Sequence, residues 1–334
     1  MMRRVLVLST WVLLLTACGV VSAFDGGDTV RVYSGRHYDL EEAFLAFAED
    51  TGVSVEFLFG GDAELRERLQ AEADQTSADV FMTVDAANLQ IAAEEGLLQP
   101  TDSEVLETAV PPNLRHPDGL WFGLSKRVRT IVYHPDRVDP SELSTYEDLA
   151  DPRWSGRLCM RNSTNVYTQS LVASLIAHHG YEEALDVVRG WVDNDTQIIN
   201  SDVQILETIA AGGCDVGITN HYYLARLLAE DPSFPVRIFW ANQGDRGVHV
   251  NISGAGVTTW ADDPDQAVTL LEWLATDGQE EFVYGNHEYP VNPEVPPPPI
   301  PAQWGTFKED PLNAAEFAAL NADAIRLMEE AGYD

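Results

Sequence analysis

The chain has 334 residues, enough for two domains, and a 45% share of hydrophobic residues excludes a wholly disordered or fibrous polypeptide. Its 54 Asp and Glu against 20 Lys and Arg give a formal charge of -34, which repels phosphate backbones and anionic headgroups. No local basic patch offsets that charge, so nucleic acid is excluded as a partner.

Residues 1–17, MMRRVLVLSTWVLLLTA, combine a basic start with an apolar stretch too short for a stable bilayer span, the pattern of an export signal. Leu15-Thr16-Ala17-Cys18 resembles the lipobox of bacterial lipoproteins, where cleavage leaves a lipid-bearing Cys18 at the new N-terminus. Cleavage after Val21-Ser22-Ala23 is the alternative and would release a soluble protein. Both place the mature chain outside the cytoplasm, at the periplasm or cell-envelope exterior. In that oxidising setting Cys159 and Cys214, each in an apolar strand-like context, are either bridged or buried as thiols. Their distance from any histidine gives no metal-ligand pattern.

After a linker at 18–28, TVRVYSG reads as a strand and DLEEAFLAFAEDTG as a helix closed by Gly52. The strand VSVEFLFG, the helix AELRERLQAEAD, the strand ADVFMTV and the helix AANLQIAAEEGL follow. A second series begins after Trp121: strand RTIVYHP, helix TYEDLAD, strand RLCM, helices YTQSLVASLIAHH and DVQILETIAAG, strand CDVGIT and helix YYLARLLAE. The chain returns with VHVNISGAGVTTW, a helix at DQAVTLLEWLAT, and EEFVYGNHEYPV. This alternation predicts an α/β fold of two lobes, each a mostly parallel sheet flanked by helices, with the ligand cleft between them at the carboxyl ends of the strands. The expected division is 29–125 plus 249–290 for the first lobe and 126–248 plus 291–334 for the second. The proline run at 296–301 is expected to carry the chain across the surface.

Tyrosines collect where ligands bind. Tyr38 follows the first strand, Tyr167 opens the helix after RLCM, and Tyr222-Tyr223 begin the helix after CDVGIT. Adjacent helical residues point about 100° apart, but at a loop-to-helix junction both tyrosines can reach one target. A phenolate is a hard anionic oxygen suited to Fe3+, and because free Tyr titrates near about 10 it forms at neutral pH only against a strong cation. Four phenolates with a neutral His37 imidazole would leave a ferric complex at a charge of about -1, and Arg36 and Arg127 are placed to offset it. Each tyrosine alone reads equally as core or rim packing.

The chain resembles the bacterial periplasmic ferric-ion-binding proteins, the iron-specific solute-binding proteins of ABC importers. The likeness rests on VYSGRHYD at 32–39, ADVFMTVDAANL at 78–89, WFGLSKRVRTIVY at 121–133 and LSTYEDLADPRWSGRL at 143–158. It continues through NVYTQSLVASLI at 165–176, NHYYLARLL at 220–228, RGVHVNISGAGV at 246–257 and YGNHEYPVNP at 284–293. The resemblance implies Fe3+ as bound cargo, ligands Tyr167, Tyr222 and Tyr223 from the second lobe with His37 and Tyr38 from the first, and an ABC permease as partner. It implies a monomeric carrier without catalytic turnover. His221 stands where the family commonly has a small hydroxyl residue, and a hydrogen bond to a phenolate or a place facing solvent are both open to it. A solute-binding protein for thiamine, a polyamine or an oxyanion would share the scaffold, but no ring of carboxylates at the strand ends suits a polyamine. An exported hydrolase lacks its G-x-S-x-G or H-E-x-x-H motif.

Cys18→Ser should stop lipid labelling and leave iron binding intact, because the expected ligands all lie beyond residue 28. Mass spectrometry of the exported chain decides: an unlipidated N-terminus at Phe24 would show that the other cleavage site is used.

Overall fold

A computed structural model describes residues 28–36 and 41–334. The expected export signal, Cys18, His37 and Tyr38 lie outside these residues. The first half is built on β1 (Thr29–Ser34), α1 (Glu41–Thr51), β2 (Ser54–Phe59), α2 (Asp62–Glu72), β3 (Val80–Thr83), α3 (Ala86–Glu94) and α4 (Glu104–Ala109). β1 pairs in parallel with β2 on one side and β3 on the other, the arrangement that strand-helix-strand crossovers impose.

β4 (Phe122–Tyr133) then runs into the second half, which holds β5 (Leu158–Arg161), α5 (Val166–His179), α6 (Tyr181–Asp193), β6 (Gln197–Ile199), α7 (Asp202–Ala211), β7 (Val216–Asn220), α8 (His221–Glu230) and β8 (Arg237–Phe239). β9 (Val250–Val257) returns to the first half and is followed by α9 (Pro264–Ala275), α10 (Gln279–Tyr284), α11 (Pro299–Ala302), α12 (Ala314–Ala318) and α13 (Asn321–Ala331). The strand order is β2-β1-β3-β9-β4-β7-β5-β6, with β8 on β4. The outer pairs of both halves are parallel, whereas β4 and β9, which carry the chain between the halves, are antiparallel to their neighbours.

β4 is longer than the expected strand at RTIVYHP and crosses the expected lobe boundary at 125/126. Up to Val128 it pairs with β9; from Arg129 it pairs with β7, and from Ile131 also with β8. Every residue of β9 is buried, as expected of a strand covered on both faces. Gly254 and Gly256 keep that strand close to its neighbour: a Cβ there would stand 2.5 Å from the Phe122 carbonyl oxygen and 2.4 Å from that of Leu120.

Several elements differ from expectation for local reasons. TYEDLAD forms no α-helix but a short 3-10 turn, Glu147–Ala150, followed at once by a second, Pro152–Trp154. Pro152 lacks the N–H that continuation would need, and the Asp151 carboxylate accepts from Arg153 N–H at 2.9 Å to start the second turn. α6 was not anticipated, although its buried Ala184, Leu185, Val188 and Trp191 follow helical spacing. The proline run does not merely cross the surface: Pro298 and Pro301 are buried, and α11 packs on α8. Proline suits that first helical turn because no intrahelical N–H is lost there. Cys159 of β5 and Cys214, just before β7, form a disulfide with Cα atoms 6.0 Å apart, resolving the two possibilities left by the sequence.

At the join of the halves His249 is wholly enclosed. Its Nε2 lies 2.6 Å from Ser170 Oγ, and its N–H donates to the Tyr146 hydroxyl at 3.1 Å. Burial, with the charges of Arg129, Arg246 and His178, lowers its pKa to about 3. The unfolded chain keeps the ordinary value near 6.5, so between these values unfolding takes up a proton, and stability falls with falling pH by about 1.4 kcal/mol per unit for this group. His249→Gln should therefore lose less stability than the parent between pH 6.5 and 4, as measured by urea unfolding. Parallel losses would remove His249 from the account.

Candidate metal centre

The tyrosines arrive at their places through strand-to-helix junctions. β7 ends at Asn220 and α8 begins at the next residue, so Tyr222 and Tyr223 occupy its first turn. Their rings lie 4.4 Å apart at 39°, close enough for both to serve one site. Asn220 Nδ2 donates to Tyr222 Oη at 3.2 Å. Tyr167 stands one residue into α5, where the Asn165 side chain accepts its N–H at 3.1 Å.

Arg127 of β4 joins the two junctions. Its Nη1 donates to Tyr167 Oη at 2.9 Å, and its guanidinium carbon lies 5.4 Å from the Tyr222 ring centre. From the other side Arg226, one turn further along α8, places its guanidinium carbon 5.5 Å from Tyr222 and 5.6 Å from Tyr223. Burial raises the Tyr167 hydroxyl above its ordinary pKa, opposed by the Arg127 charge; Tyr223 adds to the rise and a hydrogen bond with Tyr222 counters it. The Tyr167 phenol therefore stays protonated at neutral pH. Among the described residues no group of three or more His, Cys, Asp or Glu is placed to hold a metal ion, so a centre built on these residues draws on the tyrosines.

Glu288 anchors the arginines. It is wholly buried, accepts from Arg36 Nη1 at 2.6 Å, Asn286 Nδ2 at 2.5 Å and the Ser125 hydroxyl, and is ion-paired with Arg127 Nη2 at 3.0 Å. Burial alone would raise its pKa; the charges of Arg127 and Arg36, with the bonds from Ser125 and Arg36, bring it down to about 2. Asn286 in turn accepts from Arg226.

His221 takes neither position left open by the sequence. Its Nδ1 accepts from Val128 N–H at 3.1 Å, so Nε2 carries the ring proton, and that donates to the His287 carbonyl at 3.0 Å. Burial lowers its pKa to about 4, and the neutral ring, 4.7 Å from that of Tyr289 and 5.7 Å from that of Tyr222, fastens β4 to the chain at His287, both ring nitrogens being committed to backbone and neither to a phenol oxygen.

On the first-half side lies an open cavity of about 610 Å³, lined by Gly35, Gly60, Gly61, Asp62 and Val84 and, from α5, Val166. A Cβ on Gly35 would come within 1.5 Å of Asp62 Oδ1, which explains the glycine. Asp62 follows β2 and Asp85 follows β3. Carboxylates do therefore stand at two strand ends. Burial and then the Asp85 charge push the Asp62 carboxyl up to about 7 against the Val84 N–H and Arg127. Asp85 caps α3, accepting from Asn88 N–H at 3.2 Å. This pair forms no ring of free anions. Of the remaining residues not anticipated, Arg226 was legible as the position four after Tyr222 on one helix face. Glu288 was not, because 252 residues separate it from Arg36.

Residues 42–315 match the model of the bacterial extracellular solute-binding proteins. Iron uptake protein A2 of Synechocystis sp. is 44% identical over 91% of this chain and 90% of its own length, and iron uptake protein A1 of the same organism is 41% identical over 96% and 93%. The solved structure of the Trichodesmium protein IdiA (FutA) in complex with iron and citrate superposes with a TM-score of 0.88 at 43% identity, covering 92% of this chain and all of that one. The chain belongs to the bacterial extracellular solute-binding proteins, in their periplasmic ferric-ion-binding branch, a family of carriers and not of enzymes.

Proposed function

We propose that this protein captures Fe3+ outside the cytoplasm in a tyrosine-rich site between its lobes and delivers it to an ABC permease. The observation that carries the reading is the convergence of Tyr167 and Tyr222 on Arg127, with the Tyr223 ring only 4.4 Å from that of Tyr222. The names and contents of its relatives support the same cargo: iron uptake proteins, and a structure holding iron and citrate.

Ferric ion displaces the phenol protons, and three phenolates neutralise its charge. His37 and Tyr38, which follow the first-half residue Arg36 in the chain, complete the set and bring one further negative charge. Arg127 and Arg226 offset that charge from outside the ligand shell. Because ligands then come from 29–125 plus 249–290 on one side and 126–248 plus 291–334 on the other, metal binding favours the closed form that a permease can recognise. Release needs only reopening, with no bond chemistry. Lipid on Cys18 would tether the carrier to the membrane near its permease.

Tyr222→Phe and Tyr223→Phe should each weaken Fe3+ binding severely, since each deletes an anionic ligand and keeps the ring. Tyr38→Phe should leave iron on the second lobe but give a more open particle by X-ray scattering with iron present. His37→Ala should be milder than any tyrosine loss, because water can replace a neutral donor. Unchanged ferric affinity and visible absorption in both Tyr222→Phe and Tyr223→Phe would defeat the assignment.

A further inference from the structure

Glu288 lies at the centre of a buried network that reaches the whole tyrosine cluster. Its carboxylate is ion-paired with Arg127, the donor to Tyr167, and accepts from Asn286, which accepts from Arg226, the cation beside Tyr222 and Tyr223. Its other oxygen takes Arg36 and Ser125, and Arg36 immediately precedes His37 and Tyr38. The backbone holds this hub against β4: Lys126 N–H donates to the Tyr289 carbonyl at 2.7 Å and Tyr289 N–H to that of Lys126 at 3.1 Å. On the other flank the His287 carbonyl is bonded to His221 at the start of α8.

We propose that Glu288 is a positioning residue for iron. It aims Arg127 at Tyr167 and, through Asn286, Arg226 at the tyrosine pair, and it ties both to the start of the first-lobe ligand segment through Arg36. The proposal rests on the ferric reading above. A carboxylate suits this place because the four donors that meet on it include two arginines, and a neutral acceptor would leave buried guanidinium charge without compensation. A hydrogen bond donated to a phenolate oxygen reduces its electron donation to a metal. Loss of the Arg127 bond should therefore move the phenolate-to-iron absorption to longer wavelength, and displacement of the arginine charges that offset the anionic ligands should weaken binding.

The experiment uses the full mature chain loaded with Fe3+, comparing visible spectra and competition by citrate for the parent, Glu288→Gln, Glu288→Asp and Asn286→Ala. Glu288→Gln should shift the band to longer wavelength and lower affinity by about tenfold or more, the loss expected for one charge-assisted bond. Asn286→Ala, which removes no buried charge and so decides the matter if Glu288→Gln fails to fold, should shift the band in the same direction through Arg226. Glu288→Asp should return the band toward that of the parent. A parent that takes up no Fe3+ with phenolate colour would overturn the ferric reading and this inference together. A coloured parent whose variants keep its wavelength, with lower thermal stability alone, would overturn only the positioning role.

Discussion

The structure depends on one strand that serves two sheets. β4 gives up β9 and takes β7 between Val128 and Arg129, and on either side of that exchange it carries a buried arginine. Arg127 and Arg129 are two apart, so they share a face. Each is answered by a buried carboxylate: Glu288 for Arg127, and Asp202 at 2.9 Å for Arg129, with Asp202 also held by Arg161 at 2.7 Å. Removing one partner of such a pair costs about 3–5 kcal/mol because the other charge remains buried. The strand that joins the halves is thus also the strand whose orientation is most strictly constrained, and Arg127 passes that constraint to Tyr167.

The charge arrangement around the tyrosines resolves an apparent conflict. A chain with a formal charge of -34 attracts cations at long range, yet cations of its own flank the phenols. The near-field arginines do not have to ionise the phenols; burial keeps Tyr167 above its ordinary pKa despite Arg127. In the ferric complex proposed for this site they would offset excess negative charge.

His221 and the 286–289 segment show how the second shell is built from backbone as much as side chains. The His221 ring links Val128 of β4 to the His287 carbonyl, while Lys126 and Tyr289 exchange main-chain bonds. Glu288 is held between these two attachments. Its carboxylate can therefore meet Arg36, Arg127 and Asn286 at once without the freedom of a loop side chain.

Elements with a strong local period were legible in the sequence. The β1, β2 and β3 series with its helices, α5, α7, α8 and α9 all follow from the alternation of strand and helix patterns, and the placement of Tyr167, Tyr222 and Tyr223 at strand ends follows with them. The tyrosines by themselves also read as packing; the expectation of a hard, highly charged cation comes from the motifs shared with the ferric-ion-binding family. The full length of β4, the pairing of Cys159 with Cys214, and the seating of α11 on α8 were decided by tertiary structure. So were the backbone bonds of His221 and the meeting of Glu288 with Arg36 and Arg127. The physical reason is range. Periodicity and capping act over a few residues, whereas the partner of a buried charge or the neighbour of a crossing strand can lie more than a hundred residues away, where only the packed fold brings it within reach.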